Sequence, residues 1–419
     1  MLDVDMRVKQ WLQLHRLKGI RLLQRLVQEN SISGHEASAQ AIVVEKLREL
    51  GLQIDIWEPN ISNLQQHPYF VSPRTTFVGS PNVVAVKKGL GGGRSIILNG
   101  HIDVVPEGDI SGWELDPFSA KIIDGKMYGR GTSDMKGGSI SLLLALEAIQ
   151  ALDIPLRGDV IFQSVIEEES GGAGSLAAIT RGYKADVAII PEPTNMKIFP
   201  KQQGSMWFKL VVKGKSAHGG TRYEGVSAIE KAMTVHHKVL ELEKTRNATI
   251  HDPLYQSVPI PVPINIGKIY GGNWPSSVAD EVTMEGRMGV APDEKMENVQ
   301  KELEKHLALL AEIDPWFKDH PVELKWFGAR WVPGTIDSEH DAMKVLSKHF
   351  TKVKNRAPII EASPWGTDGG LFTQVGNIPT IVFGPGTTEV AHYPNEYIEI
   401  ERVFDTAEII ANMIIEWCQ

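Results

Sequence analysis

The chain has 419 residues, 42% of them hydrophobic and 23% charged, and a formal net charge of −9. That length allows two domains around a large core, and the acidic balance excludes nucleic acid as an expected partner. The single cysteine, Cys418, excludes an intrachain disulfide.

Residues 1–22 mix charges with apolar residues at helical spacing and carry no signal-peptide core. The longest apolar run, around 140–146, is far too short to span a bilayer. No membrane association is expected, and the cytoplasm is the expected location. Residues 7–50 read as two amphipathic helices around a turn at 31–34. Ala39, Ile42, Val43, Leu47 and Leu50 mark the apolar face of the second, and Ser31 or Ser33 is its expected cap. Strands are expected at 53–57, 82–87 and 95–99. The Gly91-Gly92-Gly93 tract between the last two reads as a hairpin turn, since no Lys-Ser/Thr and no helix follow it.

From residue 134 onward, strands and helices alternate: a helix at 136–151, a strand at 159–166, a short helix at 175–181 and a strand at 185–190. Such alternation predicts a mostly parallel sheet covered by helices. Near 203 the pattern changes. A strand at 206–213, a helix at 226–244, strands at 264–269 and 281–290, a helix at 293–313 and a strand at 322–327 follow the split, ferredoxin-like order. Residues 203–329 are therefore expected to form a small α/β domain inserted between 1–202 and 330–419. A buried strand at 378–383 and a last helix at 400–416 return the chain to the larger domain.

Candidate chemistry gathers where apolar strands end. His101 and Asp103 follow Ile96-Ile97-Leu98-Asn99; the pair reads either as a metal ligand with its tautomer-fixing partner or as a capped turn. Asp134 precedes the long helix, where it either caps the helix or projects towards cations. Glu167-Glu168-Glu169 ends a core strand. Three adjacent acids repel one another, so either a cation site or an exposed acidic loop explains them. Alternation of side chains there lets one acid ligate while its neighbour acts as a base. Glu192, between two prolines, follows Val187-Ala188-Ile189-Ile190, and His392 follows the Gly384-Pro385-Gly386 loop. Two histidines and three carboxylates at strand ends suit a pair of divalent ions in a hydrolase.

These motifs, in this order, resemble the acetylornithine deacetylase, succinyl-diaminopimelate desuccinylase and carboxypeptidase G family of two-zinc amidohydrolases, over essentially the full length. The resemblance implies a mostly parallel-sheet, zinc-peptidase-like catalytic domain with an inserted ferredoxin-like lid domain that mediates dimerisation. It implies two zinc ions, with cobalt or manganese as alternatives. His101 and Glu192 would hold one ion, Glu169 and His392 the other, with Asp134 bridging and the Asp134–Met135 peptide bond cis. Glu168 would be the general base, and Asp103 would orient His101. His218, in Gly214-Lys215-Ser216-Ala217-His218, resembles the lid histidine that reaches a neighbouring subunit's site to stabilise an oxyanion, which implies a homodimer. Arg287 resembles the arginine that holds a substrate carboxylate.

The implied substrate is a small acylated molecule, an N-acylated amino acid or amine whose amide bond is hydrolysed. Many relatives carry Asn-Val-x-Pro where this chain has Ser276-Ser277-Val278-Ala279. That departure removes one expected substrate contact. Residues 274–278 and 364–368 are most similar to an acetylornithine deacetylase-like subgroup that also holds deformylases of a formylaminopyrimidine. A dipeptidase or carboxypeptidase with the same site is a further reading, and an inactive metal-stabilised binding protein a remote one.

Overall fold

The computed structural model describes residues 4–419, which fall into two compact units. The first takes in the chain up to Lys201 together with Gly334–Ala362 and Thr367–Gln419; the second is Gln202–Pro333 with Ser363–Gly366.

The first unit is built on a nine-stranded sheet. Its main path runs Gln53–Trp57, Asn82–Lys87, Val160–Val165, Ile96–His101, Val187–Ile190, Thr380–Val382, Ile198–Gln202 and Gly334–Thr335. The four central strands, Val160–Val165 through Thr380–Val382, run parallel. Their neighbours on either side pair antiparallel. Every residue of Val160–Val165, Ile96–His101 and Val187–Ile190 is buried, as expected when helices cover both faces of a parallel sheet. The helix Gly137–Ala151 is buried on nearly all sides and packs against the last helix, Ile400–Trp417.

The Gly91-Gly92-Gly93 tract is not a hairpin turn. Asn82–Lys87 and Ile96–His101 do not pair with each other, because Val160–Val165 lies between them, antiparallel to the first and parallel to the second. The linker instead passes over the entry to that middle strand, with the Leu90 and Gly91 amides donating to the Leu156 and Arg157 carbonyls at 2.9 and 2.8 Å. A Cβ on Gly93 would lie 2.6 Å from the Gly158 nitrogen, and one on Gly158 only 1.7 Å from the Arg94 oxygen. Close backbone crossing is what the glycines permit.

The N-terminal segment forms three helices rather than two, Val4–Leu14, Arg16–Gln28 and Ala37–Glu49, with a break at His15. Neither Ser31 nor Ser33 caps the third. Ser31 Oγ donates to the Ile102 carbonyl at 2.7 Å, and Ser33 Oγ donates to the Glu167 carboxylate. Both hydroxyls are thus committed to loops at the strand ends.

In the second unit, four antiparallel strands lie in the order Ile264–Gly271, Glu281–Val290, Gly204–Lys213, Glu323–Trp331. Alternate residues Met206, Phe208, Leu210 and Val212, with Val282, Met284 and Met288, are buried on one face. The helices Ala228–Asn247 and Met296–Ala308 accompany them, the one-sided burial usual for an antiparallel sheet. Among the described residues no helix is long and apolar enough to cross a membrane.

Candidate metal centre

Parallel strands share a direction, so their C-terminal ends open on a single edge of the sheet, where α/β folds place their sites. His101 is the last residue of Ile96–His101. Glu168 and Glu169 lie just past Val160–Val165, Glu192 just past Val187–Ile190, and His392 in the segment after Thr380–Val382. Asp134 comes from the loop ahead of Gly137–Ala151, and its peptide bond to Met135 is cis. It caps no helix; its backbone angles are non-helical.

Asp134 stands at the centre of the cluster. Its Oδ1 lies 3.2 Å from His101 Nε2 and its Oδ2 3.1 Å from His392 Nε2. Glu192 Oε2 approaches His101 Nε2 at 3.9 Å, and Glu169 Oε2 approaches His392 Nε2 at 3.2 Å. One carboxylate thus faces both imidazoles, and each imidazole has a carboxylate of its own. His101, Glu168 and Glu192 also present ligand atoms within 4.8 Å of one another.

Asp103 acts on both sides of this cluster. Its backbone carbonyl is 2.8 Å from His101 Nδ1, whereas its carboxylate oxygen is 3.7 Å away. The carboxylate instead accepts the Glu168 and Glu169 amides at 3.3 and 3.1 Å. Asp103 therefore orients the imidazole through its main chain and the acidic turn through its side chain. Burial raises its carboxyl to about 8, against the pull of His101.

Charge is concentrated here. Burial, then the Glu192 charge, pushes Glu168 well above the usual carboxylate range, and burial with Asp134 does the same to Glu192. Burial opposes ionisation of Asp134, yet its hydrogen bonds to His101 and His392 hold it far below its ordinary value. His392 is raised to about 12, chiefly by the Glu169 charge. Burial would lower His101, but Asp134, Glu192 and the nearby acids outweigh it and raise the ring well above its usual value.

The donor set fits divalent cations. Glu192 Oε1 is buried and has no hydrogen-bond partner among the described residues. Several acids crowd a site with two imidazoles, and buried charge of one sign calls for a counter-charge. Imidazole and carboxylate together suit zinc and its neighbours.

Two expected site residues belong to the second unit. His218, exposed, precedes the turn Gly219–Glu224 and accepts the Gly220 amide through Nδ1 at 3.1 Å. Arg287 lies half-buried in Glu281–Val290, opposite Trp207 on one neighbouring strand and Asn265 on the other.

Several residues beside the cluster carried no sequence signal strong enough to assign. Glu167, fully buried at a φ of 63°, turns away to Arg74, whose Nη1 is 3.2 Å from it and 3.1 Å from buried Glu36. Arg74 lies far off in the chain, so nothing local announces the pairing. Asp368 is buried, and burial raises its carboxyl to about 6 against the pull of nearby Ser175 and of the His101 charge. Its setting in Gly366-Thr367-Asp368-Gly369-Gly370 was the available clue. Arg130 and Glu396, both buried, form an ion pair at 2.7 Å beside the Asp134 loop.

Strand-end acids and imidazoles of this kind, on this fold, define a metal-dependent hydrolase of amide C–N bonds. The model of peptidase family M20/M25/M40 matches residues 97–416, and the chain belongs to that family. It is 34% identical over 402 residues to the N-formyl-4-amino-5-aminomethyl-2-methylpyrimidine deformylase of Halalkalibacterium halodurans, covering 91% of this chain and 89% of the relative. The enzyme of the same name from Bacillus subtilis is 33% identical over 405 residues, with 90% and 89% covered. A solved dipeptidase from Saccharomyces cerevisiae shares the fold at a TM-score of 0.79 and 15% identity, covering 99% of this chain and 98% of its own.

Proposed function

We propose that the chain removes the formyl group from an N-formylated aminopyrimidine, releasing formate and the free amine. The observation that carries this reading is the likeness, over nine-tenths of the chain, to two relatives that share that deformylase name. His101 and Glu192 would hold one divalent cation, His392 and Glu169 a second, and Asp134 both; zinc is the metal we favour, since the donors are imidazole and carboxylate. Bound there, the cations supply Lewis-acid activation of a water and of the amide carbonyl.

The chain's own groups then do the proton work. Glu168, raised by burial and by Glu192, takes a proton from the attacking water. As the water oxygen bonds to the formyl carbon, His218 of a second subunit donates to the developing oxyanion. Glu168 passes its proton to the leaving nitrogen, and the C–N bond breaks. The substrate in the relatives' name has no carboxylate, so Arg287 is assigned to ring nitrogens, which accept hydrogen bonds from its planar fork. Ser276 stands where many relatives carry asparagine, so the contact that asparagine would make to substrate is absent from this reading. The lid role of the second unit and the dimer belong to this same reading.

Zinc-loaded protein presented with the formylaminopyrimidine, N-acetylornithine and a dipeptide, with mass detection of products, tests it. Formate release from the pyrimidine at a kcat/KM at least ~100-fold above the others is the expected result. Preference for the acetylated amino acid or the dipeptide would overturn the assignment.

A further inference from the structure

The chain spends a buried ion pair on three loops that carry the cluster. Glu396, fully buried, accepts four hydrogen bonds: from Arg130 Nη1 at 2.7 Å and from the amides of Ser133 at 2.8 Å, Asp134 at 3.1 Å and Gly131 at 3.1 Å. The last three belong to the turn that delivers Asp134. Arg130, 2% exposed, reaches the other way. Its guanidinium lies 3.4 Å from the His392 carbonyl, 3.5 Å from that of Tyr393 and 3.4 Å from that of Pro106, past the exit of the His101 strand.

His392 itself holds a φ of 67°, a conformation that non-glycine residues adopt only when their surroundings hold them there. The Arg130 contacts to its carbonyl and to the next are part of that hold. A carboxylate that accepts successive amides fixes a turn far more tightly than water would, because charge-assisted bonds are short and directional.

We infer that Arg130 and Glu396 are positioning residues that set Asp134 against both imidazoles, so that one buried pair governs both cation positions together. The inference rests on the two-cation reading of the site. Because Asp134 faces His101 and His392 alike, moving its turn weakens both positions in parallel. Loss of Glu192 or Glu169 would instead weaken one.

The test uses the full-length protein stripped of metal and titrated with Co2+ alone, followed by calorimetry and visible absorption. Glu396→Gln keeps the size and removes the charge. It is expected to bind both ions ~10-fold or more weakly, the usual range for groups that orient metal ligands, with an altered cobalt spectrum and unchanged far-ultraviolet circular dichroism. Both affinities within twofold of wild type and an unchanged spectrum would overturn the inference, as would weakening at one position only. If Glu396→Gln does not fold, Arg130→Lys carries the test. It keeps a positive charge beside Glu396 but loses the fork to the carbonyls, and unaltered cobalt binding there would equally overturn it. Failure of the wild-type protein to take up two ions would instead sink the two-cation reading.

Discussion

Glu167, Glu168 and Glu169 are neighbours in sequence with three different surroundings. Glu167 is tied to Arg74, Glu169 sits 3.2 Å from His392, and Glu168 is buried in the Asp103-held turn, where it feels the Glu192 charge. Of the three, Glu168 is the one we assign to carry a proton. Glu168→Gln should lower kcat by ~1,000-fold or more, at the upper part of the range for general acid–base groups, while zinc content stays near wild type. Turnover like wild type, measured with metal content on the same sample, removes it as the base. The two imidazoles give a second prediction. His392 is raised to about 12, mainly by Glu169, and His101 is raised as well. Both shifts favour the protonated ring, and a ligand must give up its proton to bind. Cation uptake near pH 7 should therefore release protons, and affinity should rise with pH. Calorimetry in buffers of different ionisation heat measures this directly; uptake with no proton release would show that the rings are already neutral.

The helix Gly137–Ala151 begins with two glycines whose missing side chains let it sit on the strand-end loops. A Cβ on Gly138 would come within 2.0 Å of the Pro191 oxygen, immediately before Glu192, and one on Gly137 within 2.6 Å of the Thr132 oxygen. Gly138→Ala must push the Pro191-Glu192 segment outward. It is expected to cost about 1–3 kcal/mol, the usual range for overpacking, and to weaken cation binding most on the His101–Glu192 side. Urea unfolding of the metal-free protein and zinc titration check the two halves; wild-type values in both would show that the loop yields freely. Elements like this were readable because burial writes itself into local pattern: a mostly apolar run marked Val160–Val165, a continuous one marked Val187–Ile190, and their ends pointed to the acids. Pairing is a different matter. Gly91-Gly92-Gly93 has the chemistry of a turn, yet the partner strand, Val160–Val165, comes from much later in the chain. The same limit hid Arg130 and Glu396, whose ion pair joins two loops that no periodicity connects. Leu346 and Phe350 of Asp341–Lys354 lie at helical spacing on a buried face, a signal present in the sequence but left unassigned.

At the scale of the whole molecule, the proposal that His218 serves a neighbouring copy demands a surface through which copies meet. In the second unit the helix Ala228–Asn247 exposes Ile229, Met233 and Leu240 at 49%, 44% and 41%. Their spacings of four and seven place them on one helix face. The edge strand Ile264–Gly271 adds exposed Ile269 and Tyr270 at 51% and 53%. Apolar side chains exposed on a helix face and on an edge strand are what self-association covers. A twofold pairing there would use the same patch on both copies, so charges placed in it meet their own images. Met233→Glu with Leu240→Glu should yield a monomer by sedimentation, with zinc content retained and kcat reduced to the level of His218→Ala. Mixing separates this from a general loss of structure. His218→Ala and Glu168→Gln should each be nearly inactive alone, but in a mixed dimer one site would receive an intact Glu168 from one copy and an intact His218 from the other. Activity should therefore return when the two variants are unfolded and refolded together, and not when the charged pair at 233 and 240 is also present. No recovery from a mixture shown to contain mixed dimers would place His218 outside the neighbouring site.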